Sequence, residues 1–428
     1  MSTEKTPWAN VPQRWGNPWH SMCSYLGSFP ASLCRYFICL LTQEGDIVYD
    51  PFSGRGTTLL ETRLTNRMPL ASDLNPISIA LTRAKNVIVK REEVYRRIEE
   101  LENKFDLVTY IPEAMMQPDE ISLIYHQHSL AKLCYLKKHL LNSSKEVDIF
   151  LTGVVLGIMH GNERSDGTSA YASISMPNTF SMSPGYVRKY VQNNRLNRVD
   201  RDIFVILKDK VKRLFEKEGI FQTTGVVTYA DAKDLSSNET LSHYKGKVDL
   251  ILTSPPYLGV INYAKQNWIR LWFLNKTVEA VDETLDDNLT LSMSIDFLEI
   301  VILEFKKILK QNGVAVVVLG DVAKSKNSII SPARELIRRV YDKKIFNYIG
   351  CISDRININD KTTRIWKETK GKATAVDRII ILSDHKPILN NEVYRCFLNN
   401  EDNPIKISTY DFTVDELEQK ALAFAGIT

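Results

Sequence analysis

The sequence predicts an α/β fold, a seven-stranded and mostly parallel sheet interrupted by a largely helical insertion. Three observations carry this. Two strand-turn-helix units follow one another near the amino terminus; helix-like patterns then run for about 140 residues, from Asn86 to roughly Gly225; and five β-rich runs follow. Tandem β-α units require crossover connections, which is what a parallel, doubly wound sheet supplies.

Taken in order, Phe29–Leu41 (FPASLCRYFICLL) has the apolar density of a buried helix with proline near its first turn. It leads into the strand Asp46–Asp50 (DIVYD), the Gly-bearing turn PFSGRG and a helix over Thr57–Asn66. The strand Pro69–Asp73 and a proline-initiated helix over Pro76–Lys85 repeat the pattern. Helical patterns at Val94–Phe105, Ser129–Leu141 and Val147–His160 surround a polar stretch in the insertion. Strand signals return at Gly225–Tyr229, Val248–Thr253, Gly313–Leu319, Ile345–Ser353 and Arg378–Leu382, with helices at Asp296–Lys310 and Pro332–Tyr341. The expected divisions are therefore 18–85 and 225–385 for the sheet domain, 86–224 for the insertion and 386–428 for a tail to which no role is given.

The 428 residues are too many for one ordinary domain. With 44% hydrophobic and 25% charged residues the bulk is folded rather than disordered. Six cysteines show no CxxC pair and no histidine at metal-ligand spacing, so reduced thiols and no metal are expected. Met1–Asn17 is polar without an apolar core, and no apolar run reaches the ~20 residues of a membrane span, which points to the cytoplasm.

Ligands of open α/β sheets bind beyond the carboxyl ends of strands, and four strand ends here carry chemistry. At the first, Asp50-Pro51-Phe52-Ser53-Gly54-Arg55-Gly56-Thr57, two glycines let backbone approach a ligand and a helix amino terminus follows. The dinucleotide fingerprint is not met, because Leu59 stands at its third glycine, and a Walker lysine is missing. At the second end Asp73, with Asn75 beyond it, stands 23 residues past Asp50, where a carboxylate can accept from both hydroxyls of a ribose. At the third, Asp231-Ala232 offers either an acceptor for a purine amine or a turn cap. At the fourth, Ser254-Pro255-Pro256-Tyr257, two prolines remove donors and leave carbonyls and a hydroxyl as acceptors beside an aromatic ring, a setting for a flat NH₂-bearing group.

Together these residues resemble the amino-methylating DNA methyltransferases, which use S-adenosylmethionine. The family's Phe-Pro-x-x-Leu is matched by Phe29–Leu33, its Asp-Pro-Phe-x-Gly-x-Gly-Thr-Thr by Asp50–Thr58 and its (Asn/Asp/Ser)-Pro-Pro-(Tyr/Phe/Trp) by Ser254–Tyr257. The resemblance implies a Rossmann-like methyltransferase fold. It places the methionine end of the cofactor against Phe52, Ser53, Gly54 and Gly56, its ribose on Asp73 and its adenine near Asp231 and Phe29, with Asp50, Thr57, Asn75 and Ala232 beside them. Arg55 departs from the small residue usual between the glycines, and the glycine motif precedes the Ser-Pro-Pro-Tyr motif, the reverse of many members.

A base inside a duplex must be flipped out to reach a methyl donor, and Tyr257 can stack on it while Ser254 and the Pro255 carbonyl hold its amine. Carbon-5 methylation needs a cysteine, usually after proline, and none of the sixteen prolines is followed by one. Ser before Pro-Pro is the family's commoner choice for N4 of cytosine, so the expected enzyme is a cytosine-N4 methyltransferase of double-stranded DNA, paired with a cognate restriction endonuclease. The alternatives are N6-adenine methylation, an RNA or protein methyltransferase of the same fold, or a non-catalytic DNA-binding protein. Between Tyr186 and Arg213 nine basic residues face three acids, and Arg188, Lys189, Arg195, Arg198 and Arg201 are the expected phosphate contacts.

Overall fold

The protein is described by a computed structural model over residues 7–8, 16–178, 181–194, 196–217, 223–256, 261–287, 289–325, 328–355, 373–390, 393 and 413–427. Its strands are β1 (Ile47–Asp50), β2 (Met68–Asp73), β3 (Val226–Tyr229), β4 (Val248–Thr253), β5 (Leu309–Ser325), β6 (Ser328–Ile330), β7 (Tyr348–Arg355) and β8 (Ala373–Ser383). They form one sheet in the order β3-β2-β1-β4-β5-β8-β7, with β6 paired to β5 off that path. From β3 to β5 every pair is parallel, whereas β8 runs antiparallel to both β5 and β7. The seven expected strands make up the main path. The eighth, β6, corrects the count: three residues are too short to carry a periodic signal.

Burial on both faces explains why β4, VDLILT, reads as one apolar run with all six residues buried. Its side chains alternate: Leu250 and Leu252 join Val314, Val316, Val318, Ile379 and Ile381 in one core, while Ile251 joins Ala315, Val317, Ile380 and Leu382 in the other.

Helix α1 (Ala31–Leu41) covers the first of these faces through Leu33, Phe37 and Ile38. Helices α2 (Thr57–Leu64) and α3 (Pro76–Asn86) complete the two β-α units. The insertion then supplies α4 (Arg91–Lys104), α5 (Leu107–Met115), α6 (Asp119–Ser122), α7 (Gln127–Leu140), α8 (Glu146–Ile158), α9 (Pro184–Asn194) and α10 (Ile203–Leu214). After β4 come α11 (Tyr263–Gln266), α12 (Trp268–Phe273) and α13 (Val278–Asp282). A third core joins the insertion to this later segment, since Trp268, Ile269, Leu271 and Phe273 of α12 are buried together with residues of α7, α8 and α10.

The second sheet face is covered by α14 (Leu291–Ile308) and α15 (Pro332–Asp342). The strand after α14 starts earlier than expected, because Leu309 turns extended at ψ 142° directly after the helix. In the tail, α16 (Val414–Ala425) buries Leu417, Ala421 and Ala425, and Tyr348 Oη donates to the Val414 carbonyl at 2.8 Å. Cys23, Cys34, Cys134 and Cys351 are free and buried, but Cys39 is disulfide-bonded, against the expectation of thiols throughout. No described helix is long and apolar enough to cross a membrane.

The insertion lies close against the first β-α units at α8, where glycines replace side chains for which there is no room. A Cβ at Gly157 would stand 1.8 Å from the Met22 carbonyl oxygen, and one at Gly153 2.4 Å from Ala84 Cβ. Gly157→Ala must therefore displace backbone. It should lower unfolding free energy by about 1–3 kcal/mol, read as a reduced urea midpoint, whereas Gly185→Ala in α9, with open space around its Cβ, should not lower it.

Candidate active site

Strand order places a switch point between β1 and β4: the chain leaves β1 toward β2 and β3, and leaves β4 toward β5 on the other side. The loops beyond these strand ends diverge and leave a cavity. Its empty space, counting the open mouth, is about 830 Å³. Phe29, Asp50, Phe52, Ser53, Gly54, Thr57, Asp73, Asn75, Asp231, Ala232, Ser254 and Pro256 all lie on its wall. Residues from four strand ends and from the segment before α1 thus converge.

The glycine turn is held from beneath. Gly54 and Gly56 have φ of 51° and 74°, the left-handed region that favours glycine. Gly54 N–H donates to Asp73 Oδ2 at 3.0 Å, and Asn75 N–H to Asp73 Oδ1 at 2.8 Å, so one carboxylate joins the first turn to the second. Asn75 in turn caps α3 by accepting from Ile77 N–H at 3.0 Å and donates to Tyr25 Oη at 3.2 Å. Gly56 lies off the cavity wall. It caps α2, and a Cβ there would come within 3.1 Å of Thr82.

Asp50 turns inward. It is 3% exposed, and its Oδ1 accepts from Thr253 Oγ1 at 2.6 Å and from Phe52 N–H at 3.1 Å. Burial pushes the carboxyls of both Asp50 and Asp73 up to about 6. Arg55 is half-buried. Its Nε donates to Thr57 Oγ1 at 3.3 Å, Nη2 has no hydrogen-bond partner, and desolvation lowers the guanidinium to about 10.

At the end of β4, Ser254 Oγ is buried and has no hydrogen-bond partner among the described residues. Pro256 is on the wall, Pro255 is not among the lining residues, and Tyr257 lies outside the described residues. Further features at the wall lay outside the sequence reading. Tyr25 and Tyr263 stack at 5.7 Å and 20°, with Tyr263 N–H donating to Asp287 Oδ2 at 2.7 Å. Phe297 meets Phe52 at 6.0 Å, and Lys233 bridges Asp231 and Asp286 at 3.5 and 2.7 Å. Tyr25 is near the Phe29-Pro30 motif, a signal that could have found it; Tyr263, Asp286 and Asp287 stand in no motif.

The expected phosphate contacts divide. Arg188 and Lys189 are exposed on α9, where Tyr186 and Tyr190 stack at 6.2 Å. Arg198 donates to the Ser122 carbonyl at 2.7 Å, Arg201 pairs with Glu163, and Arg195 lies outside the described residues. Lys210, counted in the same basic run, is buried and bonds the Ser21 carbonyl.

A sequence profile of the DNA methylases that modify N6 and N4 amines matches residues 8–83 and 248–419, which is more than half of the chain and contains the glycine turn and Ser254–Tyr257. The chain belongs to this DNA methylase family. The orphan methyltransferase M.BamHII of Bacillus amyloliquefaciens is 40% identical over 63 residues, a match covering 14% of this chain and 24% of that protein's length. Among solved structures, the rRNA methyltransferase aviRa of Streptomyces viridochromogenes aligns at 11% identity with a TM-score of 0.29, over 84% of this chain and 86% of its own. TrmN of Thermus thermophilus aligns at 10% with a TM-score of 0.27, over 83% and 49%.

The raised Asp50 carboxyl makes the stability of the protein depend on pH. Its folded pKa, near 6, lies above the ~3.9 of an unfolded chain, so the folded state holds the proton more tightly. Stability on this account is greatest below about pH 4 and is lost as pH rises through about 6. In Asp50→Asn the amide oxygen can keep both Oδ1 hydrogen bonds while the buried charge is gone. Urea unfolding without ligand should show the variant gaining on the order of 2–3 kcal/mol at pH 7.5 relative to its effect at pH 4; equal effects at both pH values would refute a buried ionised carboxylate.

Proposed function

We propose that the chain transfers a methyl group from S-adenosylmethionine to the exocyclic N4 of a cytosine flipped out of double-stranded DNA. The observation that carries this reading is Ser254 Oγ, a buried hydroxyl with no partner among the described residues, on the wall of an acid-lined cavity at the switch point. A buried polar atom left unpaired costs about 1–3 kcal/mol, and a ligand amine removes that cost.

The residues present suit the cofactor. Asp50, Asp73, Asp231, Asp286 and Asp287 line the cavity, which favours a ligand carrying a sulfonium and an ammonium. Asp73, on the cavity wall, would hold the ribose as a charged acceptor in addition to the backbone amides it receives. Phe52, Ser53, Gly54 and Thr57 would contact the methionine end, and Asp231, Ala232 and Phe29 the adenine. Bound S-adenosylmethionine supplies an electrophilic methyl group. The protein's own part is positioning and electrostatics: Ser254 and the Pro255 carbonyl accept from the target amine, Tyr257 stacks on the base, and no covalent intermediate is needed. A hydroxyl can donate to N3 of cytosine as well as accept from the amine, whereas an ionised carboxylate could only accept.

On the DNA side, the exposed Arg188 and Lys189 of α9, beside the stacked Tyr186 and Tyr190, would meet the phosphate backbone. The biological setting we propose is protection of a restriction site, with a cognate endonuclease as partner.

Three outcomes test this reading. Nucleoside mass spectrometry of duplex DNA treated with pure protein and S-adenosylmethionine should find N4-methylcytosine; methyladenine alone would reassign the base, and methylation confined to an RNA arm would reassign the polymer. Calorimetry on Asp73→Ala should show cofactor affinity reduced by about 1.5–3 kcal/mol, while Ser254→Ala should lose turnover and keep cofactor affinity. Neutralising Arg188, Lys189 and Arg195 together should flatten the slope of log affinity against log salt by up to roughly 0.9 per lost phosphate contact, and an unchanged slope would move the DNA surface elsewhere.

A further inference from the structure

Away from the cavity, the amino end of α7 meets the segment leading into α10 through three side chains able to bind a metal. His126 is the N-cap of α7 and His128 lies two positions further on; Asp200 arrives from 72 residues beyond His128. One ligand atom from each lies within 4.8 Å of the other two. His128 Nδ1 is 2.8 Å from Asp200 Oδ2, and His126 Nδ1 is 3.5 Å from Oδ1 of the same carboxylate, with the two rings 4.8 Å apart and nearly perpendicular. Both imidazoles thus converge on one carboxylate.

His126 Nδ1 accepts from the His128 backbone N–H at 3.3 Å, a long bond that engages the nitrogen's single lone pair. A cation that takes this lone pair instead also meets Asp200 Oδ1, 3.5 Å from the same nitrogen. The neighbouring cations bond elsewhere: Arg201 to Glu163, Arg198 to the Ser122 carbonyl and Lys132 to Asp202.

We propose that His126, His128 and Asp200 bind one divalent transition-metal ion of the zinc class, clamping the segment around Asp200 to α7. Imidazole nitrogens and a carboxylate oxygen are ligands this class takes, whereas magnesium takes oxygen alone. Tetrahedral bonds of ~2.0–2.2 Å set ligand atoms roughly 3.3–3.5 Å apart. The present spread closes to that by small rotations of side chains that are 32%, 44% and 48% exposed and free to turn, at the cost of the long N-cap bond. Three protein ligands leave a fourth position for water. The clamp would fix one wall of the groove that His126 shares with Asp119, Arg188 and Arg198.

The full chain, stripped with chelator and titrated with zinc chloride, should bind one zinc per chain and gain thermal stability as zinc is added. His128→Ala and Asp200→Asn should each weaken binding by at least the roughly 10–100-fold that losing even an outer-shell partner costs, and both should lose the added stability; His385→Ala should change neither. Cobalt(II) in place of zinc should give visible absorption bands in the unmodified chain and none in the variants, which separates lost ligands from lost fold once circular dichroism shows each variant folded. Equal zinc affinity in the His126→Ala/His128→Ala double variant, or magnesium bound in preference to zinc, would overturn the proposal. None of these readouts uses methyl transfer, so they stand or fall apart from that reading.

Discussion

The hydrogen bond from Thr253 to the buried Asp50 is the constraint on which the rest of the site depends. Strands β1 and β4 are neighbours in register, Val48 beside Leu250 and Tyr49 beside Ile251, yet their outgoing loops turn away from each other. No backbone pairing can hold the two loops together past the strand ends. A side-chain bridge can, and Asp50 supplies it while also accepting from Phe52 N–H, so the first turn and the Ser254 turn leave the sheet from one fixed point. The arrangement has a cost. A carboxylate raised to about 6 by burial is kept charged at neutral pH at the expense of stability, a compromise expected where the geometry of a site outweighs the optimum of the fold.

From that fixed point the remaining wall is assembled at long range. Asp73 joins the glycine turn to the start of α3, and Asn75 passes the connection to Tyr25. Tyr25 then stacks on Tyr263, which follows β4 in the chain and is secured by Asp287. The cavity is therefore a ring closed between two halves of the sequence separated by the helical insertion. The buried glycines of α8 matter to it indirectly, since Gly153 and Gly157 let that helix lie against Ala84 and Met22, just before Tyr25.

This division explains what could be read from the sequence. Asp50 and Asp73 end their strands, Gly54 and Ser254 stand in the turns that follow, and the burial pattern fixes where each strand stops, so their positions were legible from local pattern alone. Tyr263, Asp286 and Asp287 reach the wall only because the third core seats α12 against the insertion, and packing of that kind leaves no periodic trace near the residues it places. The hairpin strand β6 escaped for a different reason, its three residues being shorter than any alternation. Lys210 shows the converse error: a charge in a basic run reads as solvated, yet its amphipathic helix turns that position inward, and burial lowers it to about 8.

Charge is distributed so as to favour one mode of access to the proposed site. The chain as a whole is +4, but five carboxylates line the cavity while the exposed face of α9 carries Arg188 and Lys189. A phosphate backbone is attracted to the second surface and repelled by the first. In the proposed reading a polyanion would gain nothing by entering the cavity, whereas a neutral base swung out of a helix would escape that repulsion and meet the Ser254 hydroxyl. The acids that would suit a cationic methyl donor would also exclude a phosphate backbone, so one set of carboxylates would serve both to bind the cofactor and to require base extrusion.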